Sequence, residues 1–139
     1  MNKLNRKIEY SLMALKHMST KRPGQLTSAK EVADSYHAPF DATARVMQIM
    51  AQKGVLHSEQ GATGGYQIKK DLSKVTLYDL IQLIQGNTQI AKCMHKAEPC
   101  ELRANCNIVS PITNLNQKLN EFYKAVSLQE LLESNTNHV

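Results

Sequence analysis

Apolar residues in the first part of the chain recur every three or four positions, which is the spacing of one face of an α-helix. The first such stripe consists of Ile8, Leu12, Leu15 and Met18. A second helix is predicted to begin at Ser28, because Ser28 and Glu31 form the S-x-x-E pattern that caps a helix N-terminus. A third helix is predicted over residues 40–53, and Gly54 follows it in the position where glycine commonly terminates a helix. Three short helices in this order predict a helix-turn-helix unit.

A β-hairpin is predicted directly after the third helix. Residues 55–59 and 66–69 have the composition of two strands, and a glycine-rich turn at residues 61–65 lies between them. A hairpin in this place is typical of a winged helix, which inserts its third helix into the major groove and lays the wing along the backbone or minor groove. The predicted fold is therefore mainly α-helical, with a small β-hairpin wing.

The C-terminal half predicts further helices. One begins at Thr76, and a longer one is predicted to begin with Ser110 as its cap and Pro111 in its first turn. The apolar residues of the long helix have the heptad-like spacing of a seam between two helices: Ile112, Leu115, Leu119, Phe122 and Val126. This seam either packs on its own domain or pairs with a second copy, and we expect a dimer. A short helix capped by Ser127 is predicted to follow.

The predicted organisation is one small domain with an extension. Residues 1–86 form the winged helix-turn-helix domain, and residues 87–109 form a cysteine loop. Residues 110–134 form the dimerisation helix and a short C-terminal helix, and residues 135–139 form a flexible tail.

Charge and hydropathy restrict the function classes. The net charge of +5 favours a polyanionic partner such as double-stranded DNA, and two Phe with no Trp argue against an aromatic platform for single strands. No apolar run is long enough to span a bilayer, so no membrane association is expected. An odd number of cysteines fits a reducing compartment, and we expect a cytoplasmic protein.

The three cysteines of the chain, Cys93, Cys100 and Cys106, lie close together in one polar loop. Thiolates that converge from one loop are suited to zinc or to an iron–sulfur cluster. A cysteine nucleophile with His95 as its base would need a third orienting group, which the sequence does not offer. An enzyme is therefore not predicted.

Several motifs in this order resemble one family of bacterial regulators. They are residues 4–10, 54–56, 61–66 and 126–132, together with the three cysteines. On these motifs the chain resembles the iron–sulfur winged-helix repressors typified by IscR and NsrR, over nearly its full length. The resemblance implies a homodimer in which each subunit holds a 2Fe–2S or 4Fe–4S cluster through Cys93, Cys100, Cys106 and one further ligand.

The fourth ligand is where the chain departs from part of that family. IscR-like proteins use a histidine three residues after the last cysteine, and that position is Val109 here. NsrR-like proteins can use an acidic residue of the first helix, supplied by the partner subunit. The matching residue is Glu9, which we expect to be the fourth ligand, with His95 and His37 as alternatives.

The third helix also carries candidate base-reading residues. Arg45 can donate two hydrogen bonds to guanine, and Gln48 can pair with adenine. The resemblance places base-reading positions at Asp41, Ala44 and Arg45, and Gln60 stands where the wing often has an arginine. The complete set of expected DNA contacts is Ser28, Asp41, Thr43, Arg45, Gln48, Gln60, Thr63, Lys3, Arg6 and Lys7.

These expectations combine into one functional hypothesis. The chain is predicted to be a homodimeric DNA-binding regulator, in the form of a repressor, whose affinity for operator DNA depends on an iron–sulfur cluster. The cluster would sense nitric oxide, redox state or iron supply. The alternative is a winged-helix regulator without a cluster, controlled by zinc, thiol oxidation, a metabolite or a partner protein.

Overall fold

The computed structural model describes residues 4–86 and 101–134 of the chain. Lys3, Cys93, His95 and Cys100 lie outside the described residues, as does the tail predicted at 135–139. The helices are α1 (Arg6–Ser19), α2 (Ala29–Tyr36), α3 (Phe40–Gln52), α4 (Leu77–Ile84), α5 (Val109–Ala125) and α6 (Leu128–Glu133). The strands are β1 (Leu56–Glu59) and β2 (Gly65–Ile68). None of the described helices is both long and apolar enough to cross a bilayer.

Side-chain caps fix where several helices begin. The Ser28 hydroxyl accepts a hydrogen bond from the Glu31 amide at 3.1 Å, so the predicted start of α2 is confirmed. Thr76 and Asp79 form a reciprocal capping box at the start of α4, with bonds of 3.1 and 3.0 Å. These bonds satisfy backbone amides that no helical carbonyl can reach.

The start of α5 differs from the prediction. The helix begins at Val109, with Ile108 at the cap position, and no side chain caps it. Ser110 and Pro111 both lie inside the first turn, so the predicted Ser110 cap was wrong. Proline lacks an amide hydrogen, but the first amides of a helix have no intrahelical partner. Pro111 therefore fits at several positions of a first turn and does not mark the first residue.

The two strands form an antiparallel hairpin, in which Leu56 lies opposite Ile68 and Glu59 lies opposite Gly65. The turn between them requires a glycine at Gly64, because a Cβ atom there would collide with the carbonyl oxygen of Glu59. The predicted wing is present; β1 ends at Glu59 as expected, and the other strand ends differ by one residue from those expected from the sequence.

The hydrophobic core lies between α1, α3, α4 and the hairpin. Fully buried side chains from these elements include Leu15, Met47, Leu56 and Leu80. Leu128 of α6 is also fully buried in this core. The C-terminal helix thus packs back onto the winged domain, and this places the C-terminal end of α5 close to that domain.

Two backbone hydrogen bonds tie the segment between α5 and α6 to the segment before α4. The Leu77 amide donates to the Val126 carbonyl at 2.8 Å, and the Leu128 amide donates to the Val75 carbonyl at 2.8 Å. Val126, which the sequence placed on the dimer seam, packs against the core of its own chain as a result. It follows the last residue of α5, where the helical period on which the seam was predicted has ended.

Candidate nucleic-acid interface and cysteine site

One face of α3 is buried and the other is polar and exposed. Met47 and Met50 are fully buried, whereas Asp41, Arg45 and Gln48 are exposed. The exposed residues are spaced by four and three positions, so they lie along one side of the helix. The structure therefore presents three of the predicted base-reading residues together on the solvent side of α3.

Thr43 does not belong to that exposed face. Its side chain is fully buried, and its hydroxyl donates a hydrogen bond to the Pro39 carbonyl at 2.8 Å. The prediction that Thr43 contacts DNA was wrong. The helical period contains the signal that was missed, because Thr43 precedes Met47 by four positions and Met50 by seven. These positions share the core-facing side of α3.

A groove of 520 Å³ lies between the N-terminus of α2, the second half of α3 and the hairpin. Ser28, Gln48 and Gln60 line it, so residues predicted from three different elements are brought to one site. Thr63 is exposed in the hairpin turn. All of these side chains are uncharged hydrogen-bonding groups, which suits contacts to phosphate oxygens and base edges.

The hairpin is attached to α2 through the backbone. Thr27, which precedes the cap of α2, forms an antiparallel bridge with Tyr66 of β2. A Cβ atom at Gly65 would lie 2.9 Å from the Thr27 carbonyl oxygen, so this approach requires glycine. Sequence reasoning missed Thr27, because its contribution is made by backbone atoms that every residue has.

The predicted N-terminal phosphate contacts lie at the start of α1. Arg6 and Lys7 are exposed, and neither lines the groove between α2, α3 and the hairpin. The Arg6 guanidinium forms an ion pair of 3.0 Å with the Glu9 carboxylate. Arg6 therefore contacts the residue that was predicted to be the fourth cluster ligand.

Glu9 is accessible and borders an apolar surface. Its side chain is 39% exposed, and it lines a depression of 370 Å³ together with Leu12, Met13, Tyr36 and Leu132. A carboxylate at the edge of an apolar depression can be reached by a second protein surface. His37, one of the alternatives to Glu9, is exposed at the C-terminal end of α2.

Cys106 is the cysteine among the described residues. It is partly buried and unpaired, and it lies between a short 3-10 turn at Arg103–Asn105 and the start of α5. Within residues 4–86 and 101–134, no group of three or more His, Cys, Asp or Glu side chains is close enough to hold a metal ion. The two other predicted thiol ligands lie outside those residues. A free thiol and an accessible carboxylate nevertheless have the donor chemistry that iron accepts.

Helix α5 has an apolar stripe that its own domain leaves exposed. Ile108, Leu115 and Phe122 follow one another at intervals of seven residues and are 52%, 47% and 62% exposed. A neighbouring side of the helix bears two asparagines. Asn116 is buried, and the buried Oδ1 atom of Asn120 has no hydrogen-bond partner within the described part of the chain. Successive helical residues point about 100° apart, so the stripe and the asparagines occupy different sides of α5.

Comparison with known proteins agrees with this architecture. The model of the Rrf2 family, described as "Iron-dependent Transcriptional regulator", matches residues 4–134. The HTH-type transcriptional regulator NsrR of Bacillus subtilis is 24% identical over 86% of this chain and 77% of its own length. The match with the family confirms the resemblance found in the motifs.

Solved structures confirm the predicted fold. CymR, described as the global cysteine regulator of B. subtilis, superposes with a TM-score of 0.74 at 18% identity, over 98% of this chain and 100% of that one. IscR of T. potens superposes with a TM-score of 0.68 at 14% identity, over 98% of this chain and 94% of that one. At these identities the likeness is one of fold.

Proposed function

The chain belongs to the Rrf2 family of DNA-binding transcriptional regulators, and we propose that it is a homodimeric repressor whose affinity for operator DNA is controlled by an iron–sulfur cluster. The observation that supports DNA reading most directly is the exposed row of Asp41, Arg45 and Gln48 on α3, beside the groove that reaches Ser28 and the wing. Arg45 is suited to guanine and Gln48 to adenine.

The proposed dimer is supported by the exposed apolar stripe of α5. Apolar side chains that are 47–62% exposed at intervals of seven residues are the pattern of a helix that pairs with another helix. Leu115 and Phe122 are therefore proposed to lie in the subunit interface, with the less exposed Ile112 and Leu119 beside them. A dimer would place two copies of α3 on one duplex, as half-sites separated by one helical turn require.

The proposed cluster ligands are Cys93, Cys100 and Cys106, with Glu9 as the fourth. When bound, an iron–sulfur cluster supplies a redox-active group that also reacts with nitric oxide. Cys106 is unpaired and lies three residues before α5, so its loop is joined directly to the proposed dimerisation helix. Glu9 is accessible from solvent at the edge of an apolar depression, where a carboxylate from one subunit can meet the other.

A visible spectrum of protein purified without oxygen, with iron and sulfide assays, tests the cluster. We expect sulfur-to-iron charge-transfer absorbance that is lost in Cys106→Ser. We expect Glu9→Ala to change the spectrum and the response to nitric oxide. The control is Glu121→Ala, an exposed carboxylate of α5, which should leave both unchanged.

The same preparation separates the proposal from its alternative. Colourless protein that contains zinc, or that contains no metal after attempted reconstitution, would contradict the cluster. The chain would then be a winged-helix regulator controlled by zinc, thiol oxidation, a metabolite or a partner protein. Its DNA-binding surface on α3 is independent of that outcome.

A further inference from the structure

The imidazole of His17 on α1 is hydrogen-bonded through both of its nitrogen atoms. Nδ1 lies 2.6 Å from the Tyr36 hydroxyl, and Nε2 lies 2.6 Å from Oε2 of Glu31. The His17 side chain is only 17% exposed. A carboxylate oxygen can only accept, so Nε2 carries the hydrogen, and in the neutral ring the Tyr36 hydroxyl donates to Nδ1.

The two partners of His17 are at opposite ends of α2. Glu31 lies in the first turn of that helix, and Tyr36 is its last residue. The rings of His17 and Tyr36 also meet edge to face, with centroids 5.4 Å apart. Lys21 of the segment after α1 adds an ion pair of 2.7 Å with the same oxygen of Glu31. One side chain of α1 thus contacts α2 near both of its ends.

The N-terminal end of α2 borders the groove and is hydrogen-bonded to the wing. The Glu31 amide is bonded to the hydroxyl of Ser28, which lines the groove beside α3. Thr27, the preceding residue, shares two backbone hydrogen bonds with Tyr66 in the wing. A shift of Glu31 would therefore move Ser28 directly and would move the wing through Thr27.

We propose that His17 is a positioning residue for sequence-specific DNA binding, which holds α2 at the orientation that the α3 groove and the wing require; this inference rests on the DNA-reading function proposed above for α3. It touches no DNA in this role. It acts through Glu31 on the groove and through Tyr36 on the far end of the helix. The Tyr36 ring also lines the depression next to Glu9, so the bridge joins that depression to the DNA-binding surface.

The test uses a duplex selected in vitro from random sequence by the full-length wild-type protein, and an unrelated duplex of equal length. His17→Phe keeps a ring of similar size but forms neither hydrogen bond. We expect it to bind the selected duplex about tenfold more weakly, comparable to the loss of one specific contact, and to bind the unrelated duplex unchanged. His17→Gln can donate to Glu31 and accept from Tyr36, so it should restore most of the preference.

A control matched for stability separates positioning from a general loss of folding. Ser127→Ala removes the cap of α6, remote from the α3 groove, and costs stability without touching α2. We expect its preference for the selected duplex to equal that of wild type. The proposal would be overturned if Ser127→Ala lost as much preference for the selected duplex as His17→Phe does. It would also be overturned if folded His17→Phe kept the wild-type preference. If His17→Phe does not fold, Tyr36→Phe serves as the test variant. It removes one hydroxyl that bonds His17 and should lower the preference for the selected duplex about threefold. An unchanged preference in Tyr36→Phe would equally overturn the proposal.

Discussion

Thr27 and Tyr66 exchange two backbone hydrogen bonds, from the Thr27 amide to the Tyr66 carbonyl at 2.9 Å and in the opposite direction at 2.8 Å. They join the wing to the residue that precedes the cap of α2. The wing is a two-stranded hairpin, which is marginally stable alone in water. Its position relative to α3 therefore depends on this attachment together with the burial of Leu56 in the core.

Replacing Gly65 should detach the wing. The Cβ atom of Gly65→Ala would lie 2.9 Å from the Thr27 carbonyl oxygen, and overpacking of this kind costs about 1–3 kcal/mol of the free energy of unfolding. We expect weaker DNA binding as well, measured by fluorescence anisotropy. Gly24→Ala is the control, because its φ of +85° strains the backbone while no atom lies near the added carbon. Equal losses of DNA affinity in both variants would contradict this role of the attachment.

Two substitutions on α3 should separate DNA reading from stability. Arg45→Ala removes an exposed guanidinium, so we expect about 1–3 kcal/mol less discrimination at one base pair and an unchanged melting temperature. Thr43→Ala removes a buried hydroxyl and its bond to Pro39, so it should lower stability by about 1–2 kcal/mol. Competition binding with single-base operator variants and thermal unfolding check both. The assignment of Arg45 to base reading fails if Arg45→Ala keeps the wild-type base preferences.

A charge on the apolar stripe of α5 should dissociate the dimer. Phe122→Lys places an ammonium group at a position that is 62% exposed in the single chain and that is proposed to be buried between subunits. We expect a monomer in light scattering, with folded secondary structure and weaker operator binding. Gln117→Lys, at an exposed position on the other side of α5, should remain dimeric. A dimeric Phe122→Lys would exclude this stripe from the interface.

The contribution of Glu31 to stability should depend on pH. Hydrogen bonds from Lys21, which have the larger effect, and from His17 hold the pKa of the Glu31 carboxyl below its ordinary value of 4.5. Its stabilising contribution is therefore present above pH 4.5 and is lost as the pH falls through the lower pKa of the folded state. At neutral pH, Glu31→Gln should cost about 0.5–1 kcal/mol, because the carboxylate is partly exposed and screened.

Urea unfolding at several pH values measures that difference. The difference in the free energy of unfolding between wild type and Glu31→Gln should become smaller as the pH falls below 4.5. Glu133→Gln, at an exposed position of α6, is the matched control and should show little effect at any pH. A gap that stays constant down to the acid transition would show that the carboxylate charge does not stabilise the fold.

His37 adopts a left-handed backbone conformation that favours glycine. Its φ and ψ are 54° and 36° at the end of α2. His37→Gly removes the steric cost of this conformation, partly offset by greater freedom of the unfolded chain, so we expect a gain of up to about 1 kcal/mol. Thermal unfolding measures it. If Glu9 is the fourth ligand, the visible spectrum of His37→Gly should match that of wild type, and a changed spectrum would favour His37.

Local sequence signals predicted most of the helices and the wing. Ser28 and Thr76 cap helices because their hydroxyls reach amides three residues away, and this depends on nothing else in the fold. The predicted start of α5 was wrong because it relied on Pro111, and a first turn accepts proline at more than one position. The period of α3 contained enough information to place Thr43 in the core.

The candidate site was predictable in its residue types and only partly in its geometry. Arg45 and Gln48 follow from the exposed side of one helix. The groove that joins Gln48 to Ser28 and Gln60 combines segments far apart in sequence, and no local pattern indicates that they meet. The side of α5 that faces its own domain is likewise not evident from the sequence, and the burial of the polar residue Asn116 identifies it.

The sequence alone determined where helices begin, which of their faces are apolar, and which residues can read bases or bind a metal, because these properties depend on neighbours within about one helical turn. The tertiary structure decided that Thr27 pairs with Tyr66, that His17 bridges both ends of α2 and that Leu128 completes the core. These contacts join distant segments through backbone atoms or single side chains. They form only where the packing of the whole domain brings the segments together.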